Sequence, residues 1–436
     1  MSCRREVYAS RTLSEGGNTA AAGRLHLVEQ AFRGLPGRYL GAQEGFDATY
    51  HVRLADVGHT WEVRLTSHGA RVRKGVTNRR PDVTIGTDAG TWLRLRQGEL
   101  SGIEAFSERT LYVRGDLDLA VGFEGFFRLP NGRDPLVHLH SVPVGRMRLS
   151  TLTMGEGPDV LLLHGLGATK ASFFDTAAAL SRRYRVHALD LPGFGSSSKP
   201  ATAPYDARWF ARCVLGAMDE MEIERAHIVG NSMGGRVAIE TALTDPRRVS
   251  ALGLLCPAVA FVRRDWHRLV RVLRPEVGLL PHRFSRGTVE KHFWSMFADP
   301  DLVDPSLADV ATDEFQRIYG SPGARLAFLA SARNLYLDDP YGEEGFYPRL
   351  AALEPPSLFV WSSHDNIIPP GFQRHVRRSL PSAEQIVLDG CGHAPQIERP
   401  EQTNGLLLRF LAQVDALGGR RPAPPRPPAV PHAAAA

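Results

Sequence analysis

The 436-residue sequence predicts an α/β fold with a mostly parallel sheet and an inserted helical cap, preceded by a smaller α+β domain. Between residues 23 and about 130, apolar and polar residues alternate in runs such as "HTWEVRLTS", which is typical of antiparallel strands with one covered face. From about residue 138, wholly apolar runs such as "DVLLLHG" and "VSALGLLC" alternate with helical stretches. That alternation indicates a parallel sheet covered on both faces.

Changes in composition set the expected domain boundaries. We expect residues 1–22 to be disordered, residues 23–132 and 138–416 to fold as two domains, and the Pro- and Ala-rich residues 418–436 to form a disordered tail. Between residues 258 and 355, helical patterns continue without a buried strand, so this range is predicted to be the helical cap.

Charge and composition exclude several classes of protein. The net charge of +5 comes from arginines scattered along the chain, so we expect no nucleic-acid partner. No apolar run reaches the roughly 18 residues of a transmembrane segment, and the first residues lack the apolar region of a secretion signal. The four cysteines show no C-x-x-C spacing, which is typical of the reducing cytoplasm. We expect a cytoplasmic protein without cofactor or metal, since neither a metal-ligand cluster nor a phosphate-binding loop is evident.

The stretch "AHIVGNSMGGRVAIETAL", residues 226–243, contains a candidate nucleophile. Its residues from Gly230 to Gly234 fit G-x-S-x-G, with Ser232 between a short apolar strand and a helix. A sharp strand-to-helix turn exposes such a serine, and a Cβ at either glycine would clash with the closely approaching backbone. The alternative is an inert serine in a glycine-rich loop.

Two residues further along supply what a serine nucleophile needs, a base and a carboxylate that orients it. Asp365 ends the stretch "PSLFVWSSHD", and His393 ends "AEQIVLDGCGH". Each follows a buried strand, so both are predicted at the sheet edge where Ser232 lies and where open α/β sheets build their sites. The order Ser, Asp, His is the one this arrangement requires. The alternatives are a helix N-cap for Asp365 and a structural histidine for His393.

The loop "LLLHGLGATK" is a candidate oxyanion hole. The backbone N–H groups of Leu166 in this loop and of Met233 after the serine are placed to face a developing oxyanion. His164, at the head of the loop, and Asp190, at another strand end, are interpreted as structural rather than catalytic residues.

Residues from about 138 to 416 resemble the α/β-hydrolase fold superfamily, specifically its capped serine esterases and C–C bond hydrolases. The matching stretches are "HGLG", "DLPGFGSSSKP", "GNSMGG", "SSHDNIIP" and "GHAPQIERPE", in the family's order. The resemblance implies that Ser232 is the nucleophile, His393 the general base and Asp365 its orienting partner, with Leu166 and Met233 forming the oxyanion hole.

The residue at the nucleophile position favours hydrolysis of a small hydrophobic ester through an acyl-enzyme. C–C hydrolases with the same "GNSMGG" turn usually carry a tryptophan after the base histidine, where this chain has Ala394. Cleavage of a steroid or aromatic ring-fission product is therefore the alternative. Phe261, Trp266 and Trp294 in the cap are expected to bind the substrate, although each also suits a structural core.

The first domain resembles the sterol-carrier-protein-2 (SCP2) type of lipid-binding domain. The stretches that carry this resemblance are "PDVTIGTDAGTWLRLRQGEL" and "LYVRGDLDLAVGFEGFF". It implies an apolar tunnel for a lipid or sterol ligand, closed by Leu119, Phe123 and Phe126 on one helical stripe, with a plain core helix as the alternative. A lipid-binding or transfer protein with a non-catalytic hydrolase scaffold is the hypothesis outside the enzyme class.

Overall fold

The computed structural model describes residues 17–282 and 284–418, which fall into two compact units, Met1–Val137 and His138–Ala436. The predicted disorder of residues 1–16 and 419–436 lies outside the described residues. It is wrong for residues 17–22, which belong to the first helix, α1, Gly17–Arg33. The alanine-rich start of this helix has high helix propensity and continues into a stretch that buries Val28 and Phe32.

The N-terminal unit contains a mixed five-stranded sheet and short helices. Its strands are β1 Asp47–Leu54, β2 His59–Thr66, β3 Gly69–Lys74, β4 Val83–Thr87 and β5 Leu111–Gly115, and its further helices are α2 Ala89–Gln97, α3 Gly102–Ser107 and α4 Leu117–Gly122. The strand order is β3-β2-β1-β4-β5. Strand β1 pairs antiparallel with β2 and parallel with β4, so the unit has the α+β character predicted for it.

Aromatic side chains form much of the core of this unit. The Phe32 ring stacks against Trp61 and Trp92, with centroid distances of 4.5 and 4.6 Å. Phe123 packs on Tyr50 at 4.9 Å and is itself buried. Stacked and tilted aromatic pairs of this kind add to the stabilisation that burial provides.

The predicted helical stripe of Leu119, Phe123 and Phe126 is wrong as a single helix. Helix α4 ends at Gly122, and a 3-10 turn, Glu124–Phe126, follows it. Phe123 keeps helical dihedrals, with φ of −56° and ψ of −46°, so the chain tightens into the 3-10 turn there rather than turning away sharply. Phe123 therefore enters the aromatic core, while Phe126 lies separately, over the ring of Phe46.

The C-terminal unit is built on an eight-stranded sheet in the order β13-β12-β11-β10-β8-β9-β7-β6. Its strands are β6 Val137–Val144, β7 Met147–Met154, β8 Asp159–Leu163, β9 Arg185–Leu189, β10 Ala226–Asn231, β11 Val249–Leu255, β12 Ser357–Ser362 and β13 Glu384–Leu388. All neighbouring pairs from β9 across to β13 are parallel, and β7 joins β9 antiparallel. The predicted α/β fold with a mostly parallel sheet is confirmed.

Helices cover this sheet and form the segment between β11 and β12. The helices are α5 Phe174–Leu180, α6 Ala207–Glu220, α7 Met233–Thr244, α8 His267–Val272, α9 Arg286–Trp294, α10 Pro305–Tyr319, α11 Pro322–Leu337, α12 Phe346–Leu350, α13 Gln373–Ser379, α14 Pro395–Glu398 and α15 Pro400–Ala416. Between β11 and β12 the described residues form α8 to α12 and no strand. None of the helices within residues 17–282 and 284–418 has the length and apolar character of a membrane span.

A buried ion network joins helix α7 of the core to helix α12 of the cap. Glu240 accepts hydrogen bonds from Arg236 at 3.0 Å and from Arg349 at 2.7 and 2.8 Å. Burial alone would raise the pKa of the Glu240 carboxyl, but the bond from Arg349 and the charge of Arg236 hold that pKa below its usual value. The carboxylate is 1% exposed; Arg236 also pairs with Asp338, whereas Glu240 is the only ion-pair partner of Arg349 within the described residues.

We predict that Glu240→Gln lowers the free energy of unfolding of the C-terminal unit by about 3 to 5 kcal/mol, because it removes the buried carboxylate that compensates the buried Arg236 and the partly buried Arg349. Chemical denaturation measures this loss. Glu344→Gln is the matched control, since its ion pair with Arg208 is exposed, and should cost less than about 1 kcal/mol. Equal effects of the two substitutions would contradict the role given to Glu240.

Candidate active site

Ser232 lies at a strained turn between strand β10 and helix α7. Its φ of +53° and ψ of −118° are a conformation that residues with a side chain seldom adopt. The turn is held on both sides, because Ser232 N donates to Leu255 O at 3.0 Å and Ser232 O accepts from Ala258 N at 2.8 Å. Strain of this kind persists only where the surroundings impose it, which is the case here.

Close backbone packing at the turn explains the two glycines of the motif. A Cβ on Gly234 would lie 2.0 Å from Leu163 O, and one on Gly230 would lie 2.4 Å from the main chain of Gly234. Backbone atoms cannot move aside as a flexible side chain can, so both positions require glycine. The start of helix α7 therefore passes directly over the end of strand β8.

The structure brings His393 and Asp365 together. The Nδ1 atom of His393 is 2.7 Å from Asp365 Oδ2, and both side chains are buried. The other oxygen, Oδ1, accepts from the N–H groups of Ile367 and Ile368 at 2.8 Å each. Asp365 thus serves both as the turn cap considered as its alternative role and as the partner of the imidazole. With Nδ1–H donated to the carboxylate, Nε2 is left as the basic nitrogen.

Asn231, the residue before Ser232, connects the serine turn to the histidine loop. Its Nδ2 donates to His393 O and to Leu255 O, at 3.1 Å each. On the cap side, His393 N donates to Met296 O at 2.7 Å. Within the described residues no hydrogen bond joins the Ser232 hydroxyl to the imidazole, and contacts of this kind commonly tighten when substrate binds.

The N–H groups at the two predicted oxyanion positions are free of acceptors within the described part of the chain. Leu166 lies in the loop after β8, and Met233 is the first residue of α7. A Cβ on Gly165 would lie 3.3 Å from Ser232 Cβ, which places this loop beside the serine. The first N–H groups of a helix carry partial positive charge, so the site favours negative charge near Ser232.

His164 and Asp190 have the structural roles predicted for them. His164 Nδ1 donates to Gly165 O at 2.7 Å, and Nε2 accepts from Leu191 N at 3.0 Å, so both ring nitrogens are engaged. Burial lowers the pKa of His164, which keeps the ring neutral. Asp190 forms a fully buried ion pair with Lys170 at 2.7 Å.

Cys256, which the sequence analysis did not single out, lies against the His393–Asp365 pair. Among residues 17–282 and 284–418, the ligand atoms of Cys256, Asp365 and His393 form a group within 4.8 Å of one another, a spacing that metal ligands can have. Burial and the neighbouring Asp365 charge raise the pKa of the Cys256 thiol well above its usual value. His393 Nδ1 and Asp365 Oδ2 are hydrogen-bonded to each other at 2.7 Å, so these two atoms have partners within the protein.

Two cap aromatic residues that were not predicted lie over the loop after β8, the candidate oxyanion loop. A Cβ on Gly167 would be 3.1 Å from the Phe328 ring and 3.9 Å from the Phe315 ring. Phe315 packs in turn on Tyr319 and Phe284, at centroid distances of 4.2 and 5.4 Å. No local motif marks these rings, because helices α10 and α11 bring them to the loop from a distant part of the sequence.

The three predicted substrate-binding residues have different surroundings. Phe261 is partly buried against Tyr336 and Phe372. Trp294 packs on Phe293 and Phe297 in a separate cluster that includes Ala394, the residue after His393.

The expectation that Trp266 lines a substrate pocket is not met, because its side chain lies at the surface with 66% exposure. Its main chain is held to the cap by the bond from Trp266 N to the Tyr336 hydroxyl, which leaves the ring turned outward.

Comparison with known proteins supports the same folds. Residues 158–400 match the model of the alpha/beta hydrolase fold family, and residues 29–128 match the SCP-2 sterol transfer family.

Three similar proteins illustrate the chemistry of the relatives. The chain is 29% identical over 271 residues to a pimeloyl-[acyl-carrier protein] methyl ester esterase of Aeromonas hydrophila, covering 61% of this chain and 100% of that protein. It is 31% identical over 276 residues to a 2-hydroxymuconate semialdehyde hydrolase of Pseudomonas putida, covering 60% and 90%. The crystal structure of a bacterial membrane phospholipase A aligns with a TM-score of 0.55 at 29% identity, covering 64% and 87%.

We predict that Gly234→Ala destabilises the protein by at least about 2 kcal/mol, because the new Cβ meets backbone of strand β8. Thermal unfolding of the variant measures the loss. Gly287→Ala is the control, since nothing lies within 4 Å of the added carbon in helix α9, and it should be neutral or stabilising by up to about 1 kcal/mol. A Gly234 variant as stable as the control would show that the turn is not packed as described.

Proposed function

The chain belongs to the α/β-hydrolase fold family, and we propose that it is a serine hydrolase that cleaves a hydrophobic carboxylic ester through an acyl-enzyme. The observation that carries this proposal is the strained Ser232 turn, tied through Asn231 to an imidazole that a buried carboxylate orients. A serine is a weak nucleophile by itself and needs such a base to remove its proton.

The proposed reaction begins with proton transfer from the Ser232 hydroxyl to His393 Nε2 as the oxygen attacks the ester carbonyl. Asp365 holds the ring with Nδ1–H pointing at its carboxylate and stabilises the imidazolium that forms. The imidazolium then donates its proton to the leaving alcohol. A water molecule repeats the sequence on the acyl-enzyme and releases the acid, which returns Ser232 and His393 to their starting states.

The proposed oxyanion hole consists of the Leu166 and Met233 N–H groups. Their lack of acceptors within the described residues supports this role, since the intermediate would be their partner. A donor at such a position contributes about 3 to 4 kcal/mol to the transition state in comparable sites. The Phe315 and Phe328 rings beside Gly167 give the adjoining space an apolar wall, which favours hydrophobic acyl groups.

Carbon–carbon cleavage is the second candidate reaction, and the similarity to the Pseudomonas putida 2-hydroxymuconate semialdehyde hydrolase favours it. The same serine, base and oxyanion groups serve that reaction with a vinylogous diketone in place of an ester. Ala394 stands where C–C hydrolases with this turn usually carry a tryptophan, and this difference favours ester hydrolysis. Its side chain is buried against the Phe293 and Phe297 cluster.

For the N-terminal unit we propose a lipid ligand with an anionic head group. The support comes from Arg96 of helix α2, which is 2% exposed and whose Nε and Nη2 atoms have no hydrogen-bond partner in the described residues. Its guanidinium lies 5.7 Å from the Trp92 ring centre and 5.5 Å from that of Phe127.

Burial lowers the pKa of the Arg96 guanidinium to about 10, against the opposing effect of the Glu124 charge, so it stays positive at neutral pH. Buried donors without partners are uncommon and costly, and a carboxylate among aromatic side chains would satisfy these two.

We predict that the intact protein hydrolyses p-nitrophenyl esters and that Ser232→Ala lowers kcat by at least about 10⁴-fold, because the nucleophile is removed. A series of acyl lengths with both proteins measures this and shows which chain lengths the site accepts. Ser196→Ala, an exposed serine in another loop, is the control and should leave the rates unchanged.

Retained ester hydrolysis in the Ser232 variant would contradict the proposal. Cleavage of a vinylogous 1,5-diketone by a protein without esterase activity would select the second candidate reaction instead.

We predict that Arg96→Met, made in the full chain carrying Ser232→Ala to prevent turnover, weakens binding of a fluorescent long-chain fatty acid about 10- to 100-fold. The fatty alcohol of equal length should bind the chains with and without Arg96→Met equally well, because it lacks the carboxylate. Arg94→Met, an exposed arginine on the same helix, is the control. Equal fatty-acid affinities of the Arg96 and Arg94 variants would exclude Arg96 as the head-group partner.

A further inference from the structure

The first part of the cap carries a concentration of exposed apolar side chains. Seventeen large apolar side chains are exposed in the described part of the chain, and eight of them lie within residues 262–280. The most exposed are Val272 at 73%, Trp266 at 66% and Leu280 at 64%. We refer to residues 262–280 as the 262–280 surface. Such a concentration of exposed apolar side chains within one segment is unusual for ordinary protein surface and indicates an interaction site.

The same segment is basic. It holds five arginines against two acidic residues. Arg263 and Arg264 lie near carboxylates, but Arg268, Arg271 and Arg274 are exposed and their guanidinium groups form no ion pair within the described residues. The segment therefore offers three positive charges without an ion-pair partner among the described residues, interleaved with apolar side chains.

The main chain of the 262–280 surface is held by hydrogen bonds to helix α11 of the cap. Arg325 of helix α11 is buried and donates to Gly278 O at 2.9 Å and to Leu280 O at 3.0 Å. A Cβ on Gly278 would lie 2.8 Å from the main chain of Arg325, so the two segments are in close contact. The outward side chains are thus presented on a preformed face, which lowers the entropic cost of binding.

The 262–280 surface begins close to a residue that is hydrogen-bonded to the candidate nucleophile. Ala258 N donates to Ser232 O at 2.8 Å, and the surface begins four residues later at Val262. The intervening Val259 and Ala260 are buried in the core of the unit. A partner held at the 262–280 surface would therefore be close to the cap side of the site.

We propose that the 262–280 surface binds the interface of an anionic phospholipid membrane. Trp266, Val272 and Leu280 enter the region between head groups and acyl chains, and Arg268, Arg271 and Arg274 face the lipid phosphates, as in interfacial helices with mixed basic and apolar faces. An acidic protein or a nucleic acid would satisfy the arginines alone and leave the apolar side chains in water, so the combination favours a membrane.

The test is cosedimentation of the full-length protein with phosphatidylcholine vesicles, with and without phosphatidylglycerol. The wild-type protein should bind the anionic vesicles and lose binding as salt is raised. The triple variant Arg268→Gln, Arg271→Gln, Arg274→Gln should bind about 100-fold more weakly, at about 5-fold for each arginine. The variant Val272→Ser, Leu280→Ser should also bind more weakly, because the area entering the interface is reduced.

The control is the triple variant Arg374→Gln, Arg377→Gln, Arg378→Gln, which removes the same charge from three exposed arginines of helix α13. It should bind nearly as the wild type does. Failure of the wild type to bind anionic vesicles, or equal weakening by the two triple variants, would overturn the proposal.

Vesicle binding that depends on the arginines but not on Val272 and Leu280 would show adsorption by charge alone, without entry of the apolar side chains into the interface, and would also overturn it. Vesicle binding is measured without turnover, so its outcome is independent of the proposed esterase activity.

Discussion

The turn at Ser232 is the constraint on which the rest of the site depends. A residue with a side chain is held at a φ of +53° because strand β11 binds its N–H and Ala258 binds its carbonyl. This turn requires glycine at 230 and 234, brings the Gly165 loop beside the serine, and orients Asn231 toward His393. The sheet supplies the fixed strand ends, so the geometry is set by the fold before any substrate arrives.

Sequence reasoning succeeded for features that a short stretch of neighbouring residues encodes. The parallel sheet followed from apolar runs, and the pairing of His393 with Asp365 followed from their positions after strands β12 and β13. It failed where contacts depend on how the cap helices pack against distant parts of the chain. No sequence motif marks Phe315 and Phe328, which lie beside Gly167. Trp266 is an aromatic residue of the kind that often lines pockets, but its side chain lies at the protein surface. The stripe of Leu119, Phe123 and Phe126 is likewise divided, because α4 ends at Gly122 and a 3-10 turn follows.

Three separate features support the proposals of lipid-like ligands and substrates. The Gly167 loop lies beside cap aromatic rings, the SCP-2 family match contains a buried guanidinium among aromatic rings, and the 262–280 surface combines arginine with exposed apolar side chains. Each rests on residues that the others do not share. The proposed ester hydrolysis would require contact with apolar substrates, and the proposed lipid and membrane sites would bring the protein to them.

The most direct test of the central claim is intact-protein mass spectrometry after reaction with a fluorophosphonate, which forms a stable bond with an activated serine oxygen. The account predicts one adduct, located on Ser232 by peptide mapping, and its loss or marked slowing in His393→Ala. The absence of any adduct on the folded protein, or an adduct on a different serine, would contradict the assignment of Ser232 as the nucleophile.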